Sequence, residues 1–458
     1  MDIPTAGDWR ATKTGVNRFI KSLMGLPFRA KVRRSLEMTP EDFWSYQRVA
    51  LQAIYQYARE HVPFYKEHSS SYGPLPQKRP VLDALAQLPV LDKQTVKERN
   101  EDFWGPTPSA LTKCHTTSGT SGTPLRIPAT LREKGRFQAA KENYFRRVSG
   151  SRYPRSIRLS GFLTPTRESS RLYWRDWAAN RLFMNIYALH PRNRSDIVDV
   201  VRRFQPELFY GYASAVHEFA KLVGRRLPRC REKATGIVTS EVLLPHWRSA
   251  IEKNVCRKAY DLYSSQETSH LITECRAGER HINPLIGIVE IVDEQGNPVE
   301  AGQTGDVLIT GLIRKSMPLI RYKIGDTALS TNYETGCACG LSWPTIGRVE
   351  GRSEDLVETE DGRRIGYLCF HAVKDLEGIR ECQLIQKGYH RFVCKIVQDD
   401  MNTASQQEEM REHIHSVVEK RMQERVHMEF EYPARIPREG GNDKFKAVVV
   451  DFEDRDEV

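Results

Sequence analysis

His115-Thr116-Thr117-Ser118-Gly119-Thr120-Ser121-Gly122-Thr123-Pro124 is a stretch that no buried helix or strand has a packing reason to contain. Thr117 to Gly122 hold four hydroxyls and two glycines in six residues. Glycine lets a backbone turn with positive φ and approach a ligand closely. Successive backbone N–H groups in such a loop form a concavity that attracts anions. The hydroxyls add donors, and their oxygens can face a metal. The composition fits a loop that grips the phosphates of a nucleotide; it also fits a solvated linker. No Gly-Lys-Ser/Thr follows, which sets it apart from the Walker loop.

The rest of the chain bounds the choice. A length of 458 residues leaves room for two or more domains and a sizeable core. Hydrophobic residues make up 39% and charged residues 28%, which suits a soluble globular protein and argues against a disordered one. No apolar run approaches the length of a membrane span, and the N-terminus lacks a secretory pattern. Nine cysteines, an odd number over a long chain, suit reduced thiols in the cytoplasm. The net charge of +10 is spread without long basic blocks, which fits attraction of nucleotide phosphates and gives no expectation of nucleic-acid binding. Arg18 to Glu37 mixes Phe19, Ile20, Leu23, Met24, Leu26 and Phe28 with six Lys/Arg. Such a segment is either a membrane-surface helix or an N-terminal cover; Pro27 interrupts it, and a cover is the expectation.

Periodicity organises the chain into alternating elements. Helices are expected at Glu41–Glu60, Lys134–Gly150, Ser195–Phe204 with Ser195 as N-cap, His217–Val223 and Leu244–Lys253. Strands are expected in Pro206–Ser214, where a strand enters a turn, and at Gly236–Ser240 and Ala259–Tyr263, so the middle of the chain reads as layered α/β. Ile286–Val292 and Asp306–Leu312, separated by the turn chemistry of Asp293–Pro298, read as a β-rich subdomain. Beyond Gly351 the order strand, helix, strand predicts a small α+β domain. The expected division is 1–353 and 354–458.

Four more segments join the loop in order. They are Asp261-Leu262-Tyr263-Ser264-Ser265-Gln266-Glu267, Pro318-Leu319-Ile320-Arg321-Tyr322-Lys323-Ile324-Gly325-Asp326, Gly351-Arg352-Ser353-Glu354-Asp355 and Ile436-Pro437-Arg438-Glu439-Gly440-Gly441-Asn442-Asp443-Lys444-Phe445-Lys446. With Thr117–Gly122 they resemble the ordered motifs of the adenylate-forming superfamily, in the branch of phenylacetate-CoA ligases and CapK-like proteins. The chain departs from the usual pattern at Thr123 (lysine), Ser264 (glycine), Glu354 (aspartate) and Asp443 (glycine). The resemblance implies a large adenylation domain with a β-rich subdomain and a small mobile C-terminal lid.

It also implies roles. Thr117, Ser118, Gly119, Thr120, Ser121 and Gly122 would hold the ATP phosphates. Tyr263, Ser264 and Ser265 would lie beside the adenine, Asp326 on the ribose, and Arg352 on ribose or phosphate. Glu267 would hold Mg2+, since a hard cation on phosphates favours a carboxylate oxygen. Glu267, Thr120 and Lys444 form the implied catalytic set, with Lys446 as the competing lysine; Glu354 would be the hinge. Tyr212, Ser214, Ser240 and Glu241 would line the acid pocket; Tyr210 and Tyr212 would suit an aryl group, and Glu241 an amino group.

The implied reaction joins a small carboxylic acid to AMP with release of pyrophosphate, then passes the acyl group to CoA. An amine acceptor in polysaccharide or natural-product biosynthesis is the first alternative; a non-catalytic, nucleotide-binding, membrane-associated protein is the second. A homodimer is compatible with either. Separately, Cys337-Ala338-Cys339 and the pair Cys275 and His281 offer three thiolates and an imidazole, the donor set of a tetrahedral zinc site, or else ordinary reduced cysteines. The two cysteine-bearing segments occur together in many members of the resembling branch.

Overall fold

The computed structural model describes residues 20–76, 80–106, 112–116, 125–151, 153–159, 171–177, 179–331, 333, 335–352, 357–360, 364–365, 368–373, 376, 378–398, 404–422, 424–437 and 446–452. The chain divides into two units. One comprises Met1–Leu243, Trp247–Ile324 and Ala328–Arg348; the other comprises Val349–Val458 with the short segments Leu244–His246 and Gly325–Thr327.

The larger unit begins with helical residues 20–24 and helix α1 (Leu26–Arg34), then α2 (Pro40–His61). Thr39 and Asp42 close a capping box at the start of α2, with Pro40 at its first position. Strands β1 (Thr112–Thr116) and β2 (Arg126–Thr130) pair antiparallel, Thr116 opposite Arg126. Helix α3 (Leu131–Ser149) follows at once, capped by a Thr130–Glu133 box and ended by Gly150 at φ 82°.

Five parallel strands form the centre of a nine-stranded sheet. In chain order they are β3 (Ser156–Leu159), β5 (Arg181–Met184), β6 (Leu208–Tyr212), β7 (Thr235–Thr239) and β8 (Lys258–Ser265). Antiparallel strands finish both edges: β4 (Tyr173–Asp176) beside β5, and β9 (Ser269–Glu274), β10 (Arg280–Ile282) and β14 (Thr345–Ile346) beyond β8. The parallel strands are apolar on both faces because helices cover both. On one face Tyr144, Phe145 and Val148 of α3 pack with Leu208, Tyr210, Ile237, Tyr260 and Leu262. On the other, Phe209 meets Phe219 with ring centroids 5.6 Å apart, as the two-residue strand period requires. Gly211 is needed where β6 passes β3: a Cβ there would lie 1.9 Å from the Leu159 carbonyl oxygen.

A second sheet runs β11 (Gly287–Val292), β12 (Thr304–Gly311), β13 (Tyr322–Leu329). The Asp293–Pro298 turn is held by Asp293, which accepts the Gln295 and Asn297 N–H groups. Arg321 stands at φ 49°, almost fully buried, with its Nε 3.0 Å from a Glu290 carboxylate oxygen and its remaining nitrogens on the carbonyls of Leu88 and Gly296.

The smaller unit has helices Leu368–Val373 and Ala404–Met422 against a four-stranded sheet ordered His427–Glu431, Arg391–Gln398, Ile379–Gly388, Val448–Val450. Its core includes Leu368, Ala372, Leu384, Phe392, Ile396, Ile414, Val418 and Met422.

Layered α/β, the β-rich second sheet and the α+β terminus are all present. One cap differs. The fourth long helix is Arg194–Phe204, with Asn193 at its N-cap and Ser195 inside its first turn. A short 3₁₀ turn, Pro191–Asn193, runs straight into it and moves the N-cap two residues earlier than Ser195.

Arg321→Met should destabilise the protein by about 3–5 kcal/mol, because it leaves the Glu290 carboxylate buried without its partner. Pairing it with Glu290→Leu should restore part of the loss. Urea unfolding midpoints of the three proteins check this.

Candidate active site

The Gln266–Glu267 turn joins β8 to β9, and its shape is made by side chains. Ser265 Oγ accepts the Thr268 N–H at 3.1 Å, and Ser269 sits at φ 61°. Ser265 therefore serves the turn. Arg314, 6% exposed, holds the turn from behind. Its Nε donates to the Glu267 carbonyl at 3.2 Å, one Nη to the Gln266 carbonyl at 2.9 Å, and the other to the Pro128 carbonyl on β2 at 2.8 Å. Ser316 Oγ lies 2.8 Å from both the Pro128 carbonyl oxygen and a Glu133 oxygen, between which its single proton is shared, while its N–H donates to the other Glu133 oxygen at 2.9 Å. One network thus fixes the β1–β2 hairpin, the start of α3 and the Glu267 turn together. Glu267 itself is 8% exposed.

Thr117 to Pro124, including Thr117, Ser118, Gly119, Thr120, Ser121 and Gly122, lie outside the described residues, as do Glu354 and Lys444; so does the side chain of Arg352. The register of β1 and β2 makes 117–125 the connection of that hairpin. Arg352 ends the strand Val349–Arg352. Lys446 precedes the strand Val448–Val450, and its carbonyl accepts from Gln383 at 3.0 Å.

Tyr263 and Ser264 lie within β8, with Tyr263 opposite Ile272. A buried ionic group underlies this strand: Glu274 accepts from the Asp261 N–H at 2.6 Å and from Arg248 at 2.8 Å. Burial raises the Asp261 carboxyl to about 6, with Arg280 3.7 Å away acting against that rise. Asp326 stands inside β13, which runs on through Gly325.

Around the expected acid pocket, Glu241 accepts the Ser214 N–H at 2.8 Å. It supplies a cap to helix α5 (Ala213–Val223), whose own N-cap, Tyr212, gives no side-chain bond. Ser240 leaves β7 at φ 70°. The Tyr210 ring is 7% exposed, meets Phe145 at 5.3 Å, and has Lys141 and Arg158 within 4.7 and 5.1 Å of its centroid.

Cys275, His281, Cys337 and Cys339 converge, their donor atoms all within 4.8 Å of one another. Cys275 follows β9 in a tight turn closed by Gly278 at φ 96°, and His281 stands on β10. Cys337 and Cys339 come from the segment between β13 and β14, where Gly336 and Gly340 both take positive φ. The Cys275 and Cys337 sulfurs are 3.7 Å apart. A disulfide needs ~2.05 Å, whereas two thiolates ~2.3 Å from one tetrahedral ion stand roughly 3.8 Å apart. His281 Nδ1 donates to the Trp343 carbonyl at 2.8 Å, which leaves the Nε2 lone pair facing Cys339 Sγ at 3.3 Å. The bond to the Trp343 carbonyl fixes the tautomer a metal ligand requires. The four residues fit a divalent ion of the zinc type.

Comparisons with known proteins agree with this architecture. Residues 357–451 match the family model of the CapK C-terminal domain. The chain is 23% identical over 390 residues to Protein CapK of Staphylococcus aureus, covering 83% of each chain. It is 25% identical over 341 residues to phenylacetate-coenzyme A ligase of Thermus thermophilus, covering 70% of this chain and 73% of that one. Among solved structures, 2-hydroxyisobutyryl-CoA ligase with R3-HIB-AMP superposes with a TM-score of 0.70 at 20% identity over 92% of both chains. The anthranilate CoA ligase AuaEII gives 0.52 at 17% identity, covering 72% and 65%. The fold is that of the adenylate-forming ligases. In sequence the chain is similar to CapK and to the phenylacetate-CoA ligases.

Sequence motifs missed Arg314, Ser316 and Glu133. Their only signal was an arginine set in the apolar approach to Pro318. Arg314→Met should cost about 2–4 kcal/mol, since three carbonyls lose a buried charged donor, and Ser316→Ala about 1–2. A double-mutant cycle by chemical denaturation should give a coupling of at least about 0.5 kcal/mol; strict additivity would separate the two residues.

Proposed function

We propose that this protein is an ATP-dependent, AMP-forming carboxylate ligase that activates a small acid as its acyl-adenylate and transfers the acyl group to CoA. The observation that carries this is the joint anchoring of the β1–β2 hairpin and the Glu267 turn by Arg314. The strand that follows the hydroxyl- and glycine-rich segment and the Glu267 turn thereby share one support, which suits phosphate binding. Relatives named as phenylacetate-CoA ligases support the reaction class.

In this reading a carboxylate oxygen attacks the α-phosphorus of ATP, the bond to the β-phosphate bridging oxygen breaks, and pyrophosphate leaves. The CoA sulfur then attacks the acyl carbon and AMP departs. Thr117 to Gly122 give N–H and hydroxyl donors to the phosphates. Tyr263, Ser264 and Ser265 border the adenine; Asp326 accepts from the ribose hydroxyls in a charge-assisted pair; Arg352 contacts ribose or phosphate. Lys444 places its ammonium between the carboxylate oxygen and the α-phosphate, where charge develops in the transition state. Glu267 and Thr120 would hold Mg2+, which neutralises phosphate charge when bound. Tyr212, Ser214, Ser240 and Glu241 border the acid, Glu241 through its cap on α5. The large domain spans 1–353 and the lid 354–458, with Glu354 as hinge. The cytoplasm, where ATP and CoA are available, is the proposed location; no described helix is long and apolar enough to cross a membrane.

Cys275, His281, Cys337 and Cys339 are read as a structural zinc site. Four protein donors fill a tetrahedral shell and leave no open position for chemistry.

Two experiments test this. Lys444→Ala should lose nearly all acid-dependent pyrophosphate release while ATP still binds by calorimetry; full activity in that variant would overturn the assignment. Metal analysis of purified protein should find about one zinc per chain, absent in Cys339→Ser. Zinc-free wild type that unfolds at the same temperature would remove the metal.

A further inference from the structure

The N-terminal helices are docked by one side and leave the other open. Ser22, Gly25 and Val32 are buried against α3. The two backbones pass so closely that a Cβ on Gly25 would lie 2.3 Å from the Gly135 carbonyl oxygen. Ser22 Oγ and Arg29 both donate to Glu142 of α3, at 3.3 and 3.1 Å. These contacts fix the orientation of the segment, so its outward side chains are held outward. Ile20, Leu23 and Met24 share one helix face at i, i+3 and i+4 and, with Leu26, are 36–48% exposed. They are four of the nine large hydrophobic side chains that stand exposed among the described residues, and they fall within seven positions. Tyr153, also exposed, has its hydroxyl 3.1 Å from Ser22 Oγ and stands beside them.

The charge of the segment has one sign. Residues 9–36 hold eight of the chain's 69 Lys/Arg and none of its 59 Asp/Glu, and so supply most of the net charge of +10. On α1, Leu26, Ala30, Arg33 and Arg34 are all exposed at i, i+4, i+7 and i+8, so the apolar residues pass into a basic stripe. Aliphatic side chains held in water gain by burial in hydrocarbon. Cations without intervening acids are drawn to anionic headgroups, each one near the surface adding about fivefold to the partition. A nucleic acid would take the arginines and offer nothing to Leu23, Met24 and Leu26. A second copy docked through the same patch would bring its own cations against these. A bilayer containing anionic lipid suits both halves of the surface.

We propose that Ile20, Leu23, Met24, Leu26, Arg33 and Arg34 form a peripheral docking surface for a bilayer containing anionic lipid. The four apolar side chains enter the boundary between headgroups and acyl chains, and the two arginines rest on headgroup phosphates. Tyr153 brings an amphipathic ring to the same level. Attachment of this kind is reversible and weakens with salt.

The full chain is floated with vesicles of phosphatidylcholine alone and of phosphatidylcholine with about one-third phosphatidylglycerol, at low and high salt. The proteins are wild type, the triple variant Leu23→Ser, Met24→Ser, Leu26→Ser, the double variant Arg33→Gln, Arg34→Gln, and Leu23→Asp as a single exposed change. Wild type should bind the anionic vesicles at least about 10-fold more tightly than the neutral ones and lose the difference at high salt. The triple and double variants should each weaken binding to the anionic vesicles by about 10-fold or more, and Leu23→Asp should weaken it in the same direction. All should keep the wild-type unfolding temperature, because every substituted side chain is exposed. Wild type that does not bind the anionic vesicles overturns the proposal, as does binding that the triple and double variants leave unchanged. Equally tight binding to a duplex oligonucleotide, with the triple variant unaffected in both assays, overturns it and makes the segment a general polyanion site. A dimer in sedimentation that the triple variant alone abolishes, with vesicle binding unchanged, overturns it in favour of a second copy.

Discussion

The guanidinium of Arg314 is the constraint on which the larger unit's site depends. It is almost fully buried and bonds three carbonyls, one of them 186 residues earlier in the chain. A lysine would bring one point charge and could not span them. Carbonyls in turns and at strand ends, hidden from water, need donors, and a single planar group supplies three at fixed angles. The β1–β2 hairpin and the Gln266–Glu267 turn therefore cannot shift independently. Glu133 extends the same constraint: one carboxylate closes the α3 capping box and accepts twice from Ser316. The helix that covers the sheet begins where the hairpin is pinned.

The far edge of the main sheet is held by different means. The parallel centre is stitched by apolar side chains on both faces, but β10 and β14 are short, and an edge strand has little to bury. There the chain gathers Cys275, His281, Cys337 and Cys339 from two separate segments. Trp343, whose carbonyl orients His281, also donates its indole N–H to the Ser35 carbonyl. Trp343 and Leu341, packed with Phe43, tie the edge to the N-terminal helices.

Much of this was legible in the sequence where the signal is local. Hydroxyl and glycine crowding marked the hairpin connection; periodicity marked α2 and α3; and cysteine spacing marked the four donors. The reading weakened where function is assembled from distant single residues. Arg314 reads as one more surface charge until its three carbonyl partners are seen. Gly325-Asp326 is a turn-favouring pair, yet β13 runs straight through it because pairing within the sheet outweighs the local preference of glycine and aspartate. Ser195 had the chemistry of an N-cap, but the turn at Pro191–Asn193 set the cap two residues earlier, at Asn193. Tyr210 read as a stacking platform because aromatic content says nothing of what covers a ring.

Tyr210 also shows how specificity follows from a covered surface. An aromatic ring at a strand end can present its face to a substrate or to a cation. With Lys141 and Arg158 near its centroid and Phe145 beside it, the ring's negative face is committed. Both side chains are thereby held close to the strand ends against an aromatic ring, and the surface a substrate would meet there is set by what covers the ring rather than by the ring itself.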